Sequence, residues 1–332
     1  MLEHGGKLYE AAQRYGIPVS DWLDLSTGIN PDGWHVPDNL PDTVWSQLPQ
    51  EEDGLLTAAQ QYYQCDAVLA VAGSQAAIQA LPYLRPHSRV GVLSPAYAEH
   101  AHAWRQAGHD IIVLDARTIS ESLPTLDVLV IINPNNPSCD TFPPLQLLDW
   151  HSQLIQHGGW LIVDEAFMDP TPENSLTHLY PKSGLIILRS IGKFFGLAGL
   201  RVGFVITEQT LLQQLATRLG PWPIAHASRY IAQLALEDRD WQQQTIQSLT
   251  KAGQRLRRLL SDAGLTPDGG CSLFQWVTTD RATQIHHYLA EHGILTRLFS
   301  SPTSLRFGLA KTEQDWQRLQ NTLQAMPIKD IS

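Results

Sequence analysis

The stretch Ser190–Gly203 has the sequence SIGKFFGLAGLRVG. It holds a serine, one lysine, four glycines and an arginine within 14 residues, and it follows the apolar run Leu185–Arg189. Glycines let a backbone approach a ligand closely, serine and arginine suit phosphate oxygens, and a lysine amine is a nucleophile. The stretch therefore predicts a phosphate-bearing ligand beside Lys193. The alternative is a glycine-rich surface loop with a solvated lysine.

Short apolar runs alternate with helix-like segments from about residue 68 to residue 207. This alternation is typical of an α/β fold in which helices cover both faces of a mostly parallel sheet. The predicted strands are Val68–Ala72, Arg89–Ser94, Asp110–Leu114, Val128–Asn133, Trp160–Asp164, Leu185–Arg189 and Val202–Thr207. Ligands of such sheets bind beyond the carboxyl ends of the strands, so the polar residues after these runs are candidates for a site.

The residue pattern at the two ends of the chain differs from that of the alternating segment. One short helix over residues 7–15 followed by several prolines predicts an extended arm, and the region after residue 207 predicts a smaller α+β part. The elements predicted in that part are a helix over 240–263 and strands over 272–278, 295–299 and 305–309. We therefore expect an arm of residues 1–40, a large ligand-binding domain of 41–215 and a small domain of 216–332.

Two further strand ends carry polar groups. The run Leu161–Glu165 ends in carboxylates, and Asp164 is suited to keeping a pyridinium nitrogen protonated so that the ring accepts electrons. The run Val130–Pro137 ends in an Asn/Pro cluster, which on its own predicts only a turn. These two runs and the glycine-rich stretch follow one another along the chain within the alternating α/β segment of residues 68–207.

With these three elements, the chain resembles the fold type I pyridoxal 5′-phosphate (PLP) enzymes, within the class I/II aminotransferase branch, over nearly its whole length. The resemblance implies that Lys193 carries the cofactor as a Schiff base and Asp164 pairs with the pyridine nitrogen. It also implies that Asn136 binds the 3′-oxygen and Tyr97 stacks on the ring. The implied phosphate ligands, at a helix N-terminus, are Gly73, Ser74, Gln75, Ser190 and Arg201.

The substrate residues are predicted from the two ends of the chain. Arg306 lies inside an apolar run, where an arginine is costly without an anionic partner, and it resembles the substrate-carboxylate arginine of these enzymes. Arg297 is a second candidate, and Asn136 is expected to contact substrate as well as cofactor. A structural ion pair is the alternative for Arg306.

The N-terminal elements His4-Gly5-Gly6 and Asp24–Pro31 resemble those of family members that decarboxylate a phosphorylated amino acid. Exposed glycine N–H groups and a histidine suit a substrate phosphate, and the expected ligands are His4, Gly5, Gly6 and Asn30. A flexible start that touches nothing is the alternative.

Three positions depart from the aminotransferase pattern. Phe167 replaces a tyrosine whose phenol would bind the cofactor, which argues against transamination. Ser138-Cys139 replaces Thr-Gly, and Leu48-Pro49 replaces a Tyr-Pro that reaches the neighbouring subunit. Decarboxylation is therefore favoured. A histidinol-phosphate or related PLP aminotransferase, and a non-catalytic binding protein with this fold, remain alternatives.

Composition limits the partners. The chain of 332 residues has a formal net charge of −10, which offers no footprint for nucleic acid or an anionic membrane. Its three cysteines lack paired metal-ligand spacing, so we expect free thiols, no metal site and a reducing, cytoplasmic location. No signal-like or membrane-spanning run is evident in the sequence. The resemblance also implies a homodimer.

Overall fold

The computed structural model describes residues 5–179 and 182–326. The strands are β1 (Leu23–Asp24), β2 (Leu69–Val71), β3 (Arg89–Leu93), β4 (Asp110–Leu114), β5 (Val128–Ile132), β6 (Trp160–Asp164), β7 (Leu185–Ser190), β8 (Gly203–Ile206), β9 (Gly269–Cys271), β10 (Phe274–Thr278), β11 (Ile294–Leu295), β12 (Arg297–Ser300) and β13 (Thr303–Gly308). The helices are α1 (Leu8–Tyr15), α2 (Thr43–Ser46), α3 (Leu55–Tyr63), α4 (Gly73–Ala80), α5 (Glu99–Gln106), α6 (Ile119–Ser122), α7 (Pro144–Ile155), α8 (Gln209–Leu219), α9 (His226–Glu237), α10 (Arg239–Asp262), α11 (Ala282–Glu291) and α12 (Glu313–Ala325). None of these helices is both long and apolar enough to cross a membrane.

Residue contacts divide the described part of the chain into two units. The first contains residues 5–33, 137–139 and 245–326, and the second contains the described residues of 34–136 and 140–244. The N-terminal segment belongs to the first unit because β1 pairs in parallel with β11. The contacts thus divide the chain elsewhere than after residues 40 and 215, and the three-part division by domains stays a prediction.

A seven-stranded sheet forms the centre of the second unit, in the order β2-β8-β7-β6-β5-β3-β4. β8 runs antiparallel to both of its neighbours, and the other adjacent strands are parallel. The predicted α/β fold with a mostly parallel sheet is confirmed, and each predicted strand differs from the observed one by at most one residue at either end. For the strands inside the sheet the agreement follows from burial on both faces, which requires continuous apolar runs, whereas the edge strand β4 is largely exposed.

The sheet has a point where the winding direction reverses. The chain passes from β3 to the edge strand β4 and returns to β5 on the other side of β3. Ligands of α/β sheets bind at the carboxyl ends of strands at such a point. Tyr97 follows β3, Asn136 follows β5 and Asp164 ends β6, so the predicted residues come from this edge of the sheet.

The first unit contains a four-stranded antiparallel sheet in the order β12-β13-β10-β9 and the two-stranded pair β1-β11. The single strand predicted over 295–299 is wrong in detail. β11 ends at Leu295 and pairs with β1, whereas β12 begins at Arg297 and pairs with β13. The arm predicted as merely extended also supplies β1. Strands of two residues are too short for any periodicity, so the sequence carries no signal for them.

A buried ion network ties the ends of β6 and β7 together. The Arg189 guanidinium lies 2.7 Å from a carboxylate oxygen of Glu165 and 2.6 Å from one of Asp169, and all three side chains are almost fully buried. Ser175 Oγ and the Leu176 N–H also donate to Glu165. Burial opposes the charge on Arg189, but the two carboxylates outweigh it and raise its pKa. The network therefore satisfies charges that would otherwise be very costly to bury.

We expect Arg189→Met to lower the free energy of unfolding by about 3–5 kcal/mol, because it leaves Glu165 and Asp169 buried without their cation. Urea unfolding followed by circular dichroism measures the change. Arg117→Met is the matched control, since Arg117 pairs with Asp115 on the surface and its loss should leave the midpoint unchanged. Equal midpoints for Arg189→Met and the wild type would contradict this role.

Candidate active site

The N-terminus of α4 forms a cradle for an anion. α4 begins at Gly73, whose φ of +70° is disfavoured for residues with a side chain. A Cβ built on Gly73 would lie 2.7 Å from the Arg201 guanidinium. A Cβ on Gly203 would lie 2.5 Å from the Ser74 backbone nitrogen. Gly73 thus leaves room for the Arg201 guanidinium, and Gly203 lets the start of β8 approach the first turn of α4.

Ser190 approaches the same cradle through the sheet. It is the last residue of β7 and stands opposite Gly203 of β8. Its Oγ accepts a hydrogen bond of 3.2 Å from the Gly192 N–H. Backbone N–H groups at a helix N-terminus, a hydroxyl and a guanidinium form a donor set that suits a phosphate.

Tyr97 is held by α4 and stands next to the acidic and basic groups of the site. Its hydroxyl donates to Gln75 Oε1 at 3.1 Å, and Gln75 Nε2 donates to Glu99 at 2.8 Å. Burial, reinforced by the charges of Glu99 and Asp164 and opposed by that of Arg201, raises the pKa of Tyr97 to about 12. The phenol therefore remains protonated at neutral pH.

Asp164 has a partner that sequence reasoning missed. Its Oδ2 lies 2.9 Å from His100 Nε2, and both side chains are only 4% exposed. Its Oδ1 accepts from the Ala166 N–H at 3.0 Å. Because a carboxylate only accepts hydrogen bonds, His100 donates from Nε2 and fixes the orientation of Asp164. The Tyr97 ring lies edge-on to His100, with 6.3 Å between the ring centres.

Lys193 follows β7 by three residues and is half-buried. Its ammonium lies 5.6 Å from the centre of the Phe167 ring, so an aromatic face stands beside the amine where a tyrosine was expected from the family pattern. Asn136 is also half-buried, just after β5. A phosphate cradle, a buried carboxylate and an accessible amine fit the phosphate, the ring nitrogen and the aldehyde of PLP.

Three of the candidate substrate residues, Gly5, Gly6 and Arg306, lie around Ser26 in the first unit. Arg306 is buried and its Nη2 donates to the Ser26 carbonyl at 2.8 Å, while the Gly6 N–H donates to Ser26 Oγ at 2.8 Å. A Cβ on Gly5 would overlap the Ser26 carbonyl oxygen, which explains why a glycine stands there. The structure thus brings the predicted Gly5, Gly6 and Arg306 around a residue that sequence reasoning did not name.

Two arginines face each other in the small sheet. Arg297 of β12 is the register partner of Arg306 of β13. Burial, together with the positive charge of Arg297, lowers the pKa of Arg306 to about 10. Like charges opposite one another in a sheet are destabilising, and a bound anion would offset this repulsion.

Of the last two predicted substrate residues, Asn30 and His4, the structure describes only Asn30. Asn30 is buried and its Oδ1 accepts from the Asp32 N–H at 3.0 Å, which leaves its side chain engaged in a local turn. His4 lies outside the described residues.

The fold and these groups define an α/β enzyme of the PLP-binding type. The family model for aminotransferase class I and II matches residues 21–323. The chain is 54% identical over 323 residues to a threonine-phosphate decarboxylase from Pseudomonas aeruginosa, covering 97% of each chain. It is 39% identical over 337 residues to one from Sinorhizobium sp, covering 98% of this chain and 99% of that one.

A solved structure of histidinol-phosphate aminotransferase from Sinorhizobium meliloti in complex with pyridoxal-5′-phosphate has the same fold. The TM-score is 0.82 at 16% identity, with 98% of this chain and 97% of that chain covered. The chain described here therefore belongs to the aminotransferase class I and II family, and its cofactor is PLP.

We expect His100→Phe to raise the dissociation constant of PLP about tenfold or more, because a hydrogen bond to a charged group contributes roughly 1.5–3 kcal/mol. Without its donor, Asp164, the predicted partner of the ring nitrogen, loses the contact that fixes its orientation. Titration of the apoprotein with PLP, followed by absorbance, measures the constant. His102→Phe, on the same helix, serves as the control, and an unchanged constant in folded His100→Phe would show that Asp164 does not need this partner.

Proposed function

We propose that this chain is a PLP-dependent carboxy-lyase that converts L-threonine O-phosphate to aminopropanol phosphate and CO₂, a reaction of cobalamin biosynthesis. The observation that carries the proposal is the 54% identity to a threonine-phosphate decarboxylase over 97% of both chains. The second relative with the same name matches nearly its full length at 39% identity. The predicted cofactor residues of the second unit and most of the predicted substrate residues, in the first unit, suit a PLP-dependent decarboxylation.

We assign the cofactor to residues of the second unit. Gly73, Ser74 and Gln75 at the start of α4, with Ser190 and Arg201, would hold its phosphate. Tyr97 would stack on the ring and Asn136 would bind the ring oxygen. When bound, PLP supplies an electron sink for the pair of electrons that a breaking bond at Cα leaves behind. Asp164, oriented by His100, would pair with the ring nitrogen that makes this sink effective.

Arg306 would bind the substrate carboxylate before that group leaves as CO₂. It is buried, its charge is opposed by Arg297, and the Ser26 carbonyl holds its Nη2 in place. In the reaction the bond between Cα and the carboxylate carbon breaks and a proton is added at Cα. We assign this proton to the Lys193 amine. Which bond breaks depends on the rotation of the substrate about Cα, so a second fixed anchor is required.

A cavity of about 300 Å³ in the first unit offers that anchor. The backbone of Gly5 and Gly6 lines it together with the side chains of Arg14, His286 and Arg297. Lys7 lines it too, paired with Glu10 at 2.9 Å. Arginine side chains are typical ligands of a phosphate. We place the substrate phosphate here, and Asn30 and His4 stay predicted ligands of this phosphate.

The pKa of His286 reflects the burial and the positive charge around this cavity. Its Nδ1 lies 2.8 Å from Thr296 Oγ1. Burial, reinforced by the nearby charges of His287, Arg14 and Arg297, lowers the pKa of His286 to about 4. The ring is therefore neutral at physiological pH, because it is buried and cations lie near it. An anion in the cavity would counter this field, which favours a phosphorylated substrate.

Phe167 favours decarboxylation over transamination. The phenol that aminotransferases commonly present at this position is absent, and an apolar ring lies beside the Lys193 ammonium instead. Histidinol-phosphate aminotransferase is the second candidate, because it would use the same cofactor residues and also a phosphorylated amine. A non-catalytic PLP-fold protein is the third, and the presence of every predicted cofactor residue argues against it.

The PLP-loaded protein should release CO₂ from L-threonine O-phosphate without any added oxo acid, with one aminopropanol phosphate formed per CO₂. Lys193→Ala should lower the rate about 100-fold or more, because it removes the proposed proton donor. Trapped CO₂ and mass spectrometry of the product measure the reaction. Lys251→Ala, which removes an exposed lysine of α10, is the control and should retain full activity.

Other results would select the alternatives. Consumption of histidinol phosphate only with an added oxo acid, and no CO₂ release, would identify an aminotransferase. Failure to turn over either substrate, with no covalent PLP after borohydride reduction, would identify a non-catalytic protein.

We expect Arg14→Leu to raise the KM for L-threonine O-phosphate about three- to tenfold with kcat unchanged, because a partly screened charge pair contributes on the order of 1 kcal/mol. Inhibition by unphosphorylated L-threonine should not change, and Arg14→Lys should restore most of the affinity. Arg258→Leu removes a cation elsewhere in the same unit and is the matched control. An equal loss for L-threonine would place the phosphate outside this cavity.

We further propose that the enzyme is a cytoplasmic homodimer. Trp45, Leu48 and Trp222 of the second unit are between 58% and 69% exposed, and contact with a second copy of the chain would cover them. Three free cysteines suit a reducing compartment. A monomeric mass in sedimentation velocity would contradict the dimer.

A further inference from the structure

Cys139 and Cys271 lie side by side in the first unit. Each is partly exposed, and the Cys139 thiol is a hydrogen-bond partner of the Cys271 sulfur. β9, which ends at Cys271, packs directly on the segment that holds Cys139. A Cβ built on Gly269 would overlap the Ser138 carbonyl oxygen and lie 3.6 Å from Cys139 Cβ. Two thiols from distant parts of the chain are thus hydrogen-bond partners within the first unit.

The backbone at Cys139 favours a residue without a side chain. Its φ is +62°, in the left-handed region, where a residue with a Cβ is disfavoured by roughly 1–2 kcal/mol. A glycine would remove this cost, and Thr-Gly is the pattern of the family at Ser138-Cys139. The thiol is therefore present at a position where local conformation alone would select glycine.

The surroundings of Cys271 favour its thiolate. Burial raises the pKa of this thiol, but the hydrogen bonds from Cys139 and from the N–H groups of Leu273 and Phe274 act against burial. With the positive charge of Arg306 they outweigh it and leave the pKa below its usual value. A thiolate is the nucleophilic form in oxidation and in disulfide exchange. Cys65 differs, because burial raises the pKa of its thiol to about 12.

We propose that Cys139 and Cys271 are an oxidative modification site, at which the two thiols form a reversible disulfide. With a peroxide as oxidant, the Cys271 thiolate attacks one peroxide oxygen, the O–O bond breaks, and a sulfenic acid and one water form. The Cys139 sulfur then attacks the Cys271 sulfur and displaces a second water. Two thiols and one hydrogen peroxide thus give one disulfide and two waters.

The modification would act on the charge around Arg306. The Cys271 and Cys139 sulfurs both stabilise the Arg306 cation in the reduced protein. A disulfide carries no negative charge, so oxidation removes a counter-charge from a buried arginine. Conversely, Arg306 promotes the reactive thiolate, and its removal should slow the oxidation.

The test treats the full-length protein with a small excess of hydrogen peroxide, blocks remaining thiols with iodoacetamide and maps peptides by mass spectrometry without reduction. We expect a cross-linked pair of peptides that contains Cys139 and Cys271 and disappears after treatment with dithiothreitol. Cys139→Ser and Cys271→Ser should each lack it, whereas Cys65→Ser should retain it. Cys139→Gly, which suits the left-handed backbone, is the second variant in case Cys139→Ser folds poorly.

Rates provide a second readout that a merely structural contact would not change. Arg306→Met should slow peroxide oxidation of Cys271 at pH 7 by about fivefold or more, since the thiolate loses a neighbouring cation. Alkylated Cys139 and Cys271 with no cross-link after peroxide treatment would overturn the proposal. So would a cross-link that requires Cys65, or an oxidation rate that is the same with and without Arg306.

Discussion

The cofactor-binding edge of the large sheet depends on one buried cation. Arg189 binds Glu165 and Asp169 together, so the carboxyl ends of β6 and β7 are held in a fixed relation. Asp164 precedes Glu165 and Ser190 follows Arg189. Because successive residues of a strand point to opposite faces, Glu165 can serve the ion network while Asp164 turns to His100. Asp164, a predicted cofactor residue, therefore stands next to Glu165, which belongs to the ion network.

The two units carry different parts of the chemistry. The second unit holds the residues that identify the cofactor, and the lysine among them would be present in an aminotransferase or a decarboxylase alike. The first unit holds the glycines and arginines that we assign to the substrate. Since PLP can stabilise the breaking of more than one bond at Cα, the reaction is chosen by groups that fix substrate rotation. Small changes in the first unit can therefore separate reactions that share one cofactor site.

The sequence predicts most of the large sheet because its strands, except the edge strand β4, are largely buried and appear as continuous apolar runs. β1, β9 and β11 escape prediction because each is three residues or fewer, β9 includes two glycines, and their pairing depends on distant partners. His100 escapes for a related reason. It lies on a helix among polar residues, and its role exists only once α5 places it against Asp164. The Cys139–Cys271 contact likewise joins segments far apart in sequence.

Arg297 and Arg306 are unfavourable for the fold on their own. They stand opposite each other in adjacent strands, one half-buried and one buried, and each opposes the charge of the other. In the proposed function, a ligand with two anionic groups would offset both charges when it binds. Threonine phosphate carries a carboxylate and a phosphate, whereas histidinol phosphate carries only the phosphate. The charge count of the small sheet thus favours a substrate that still has a carboxylate to lose.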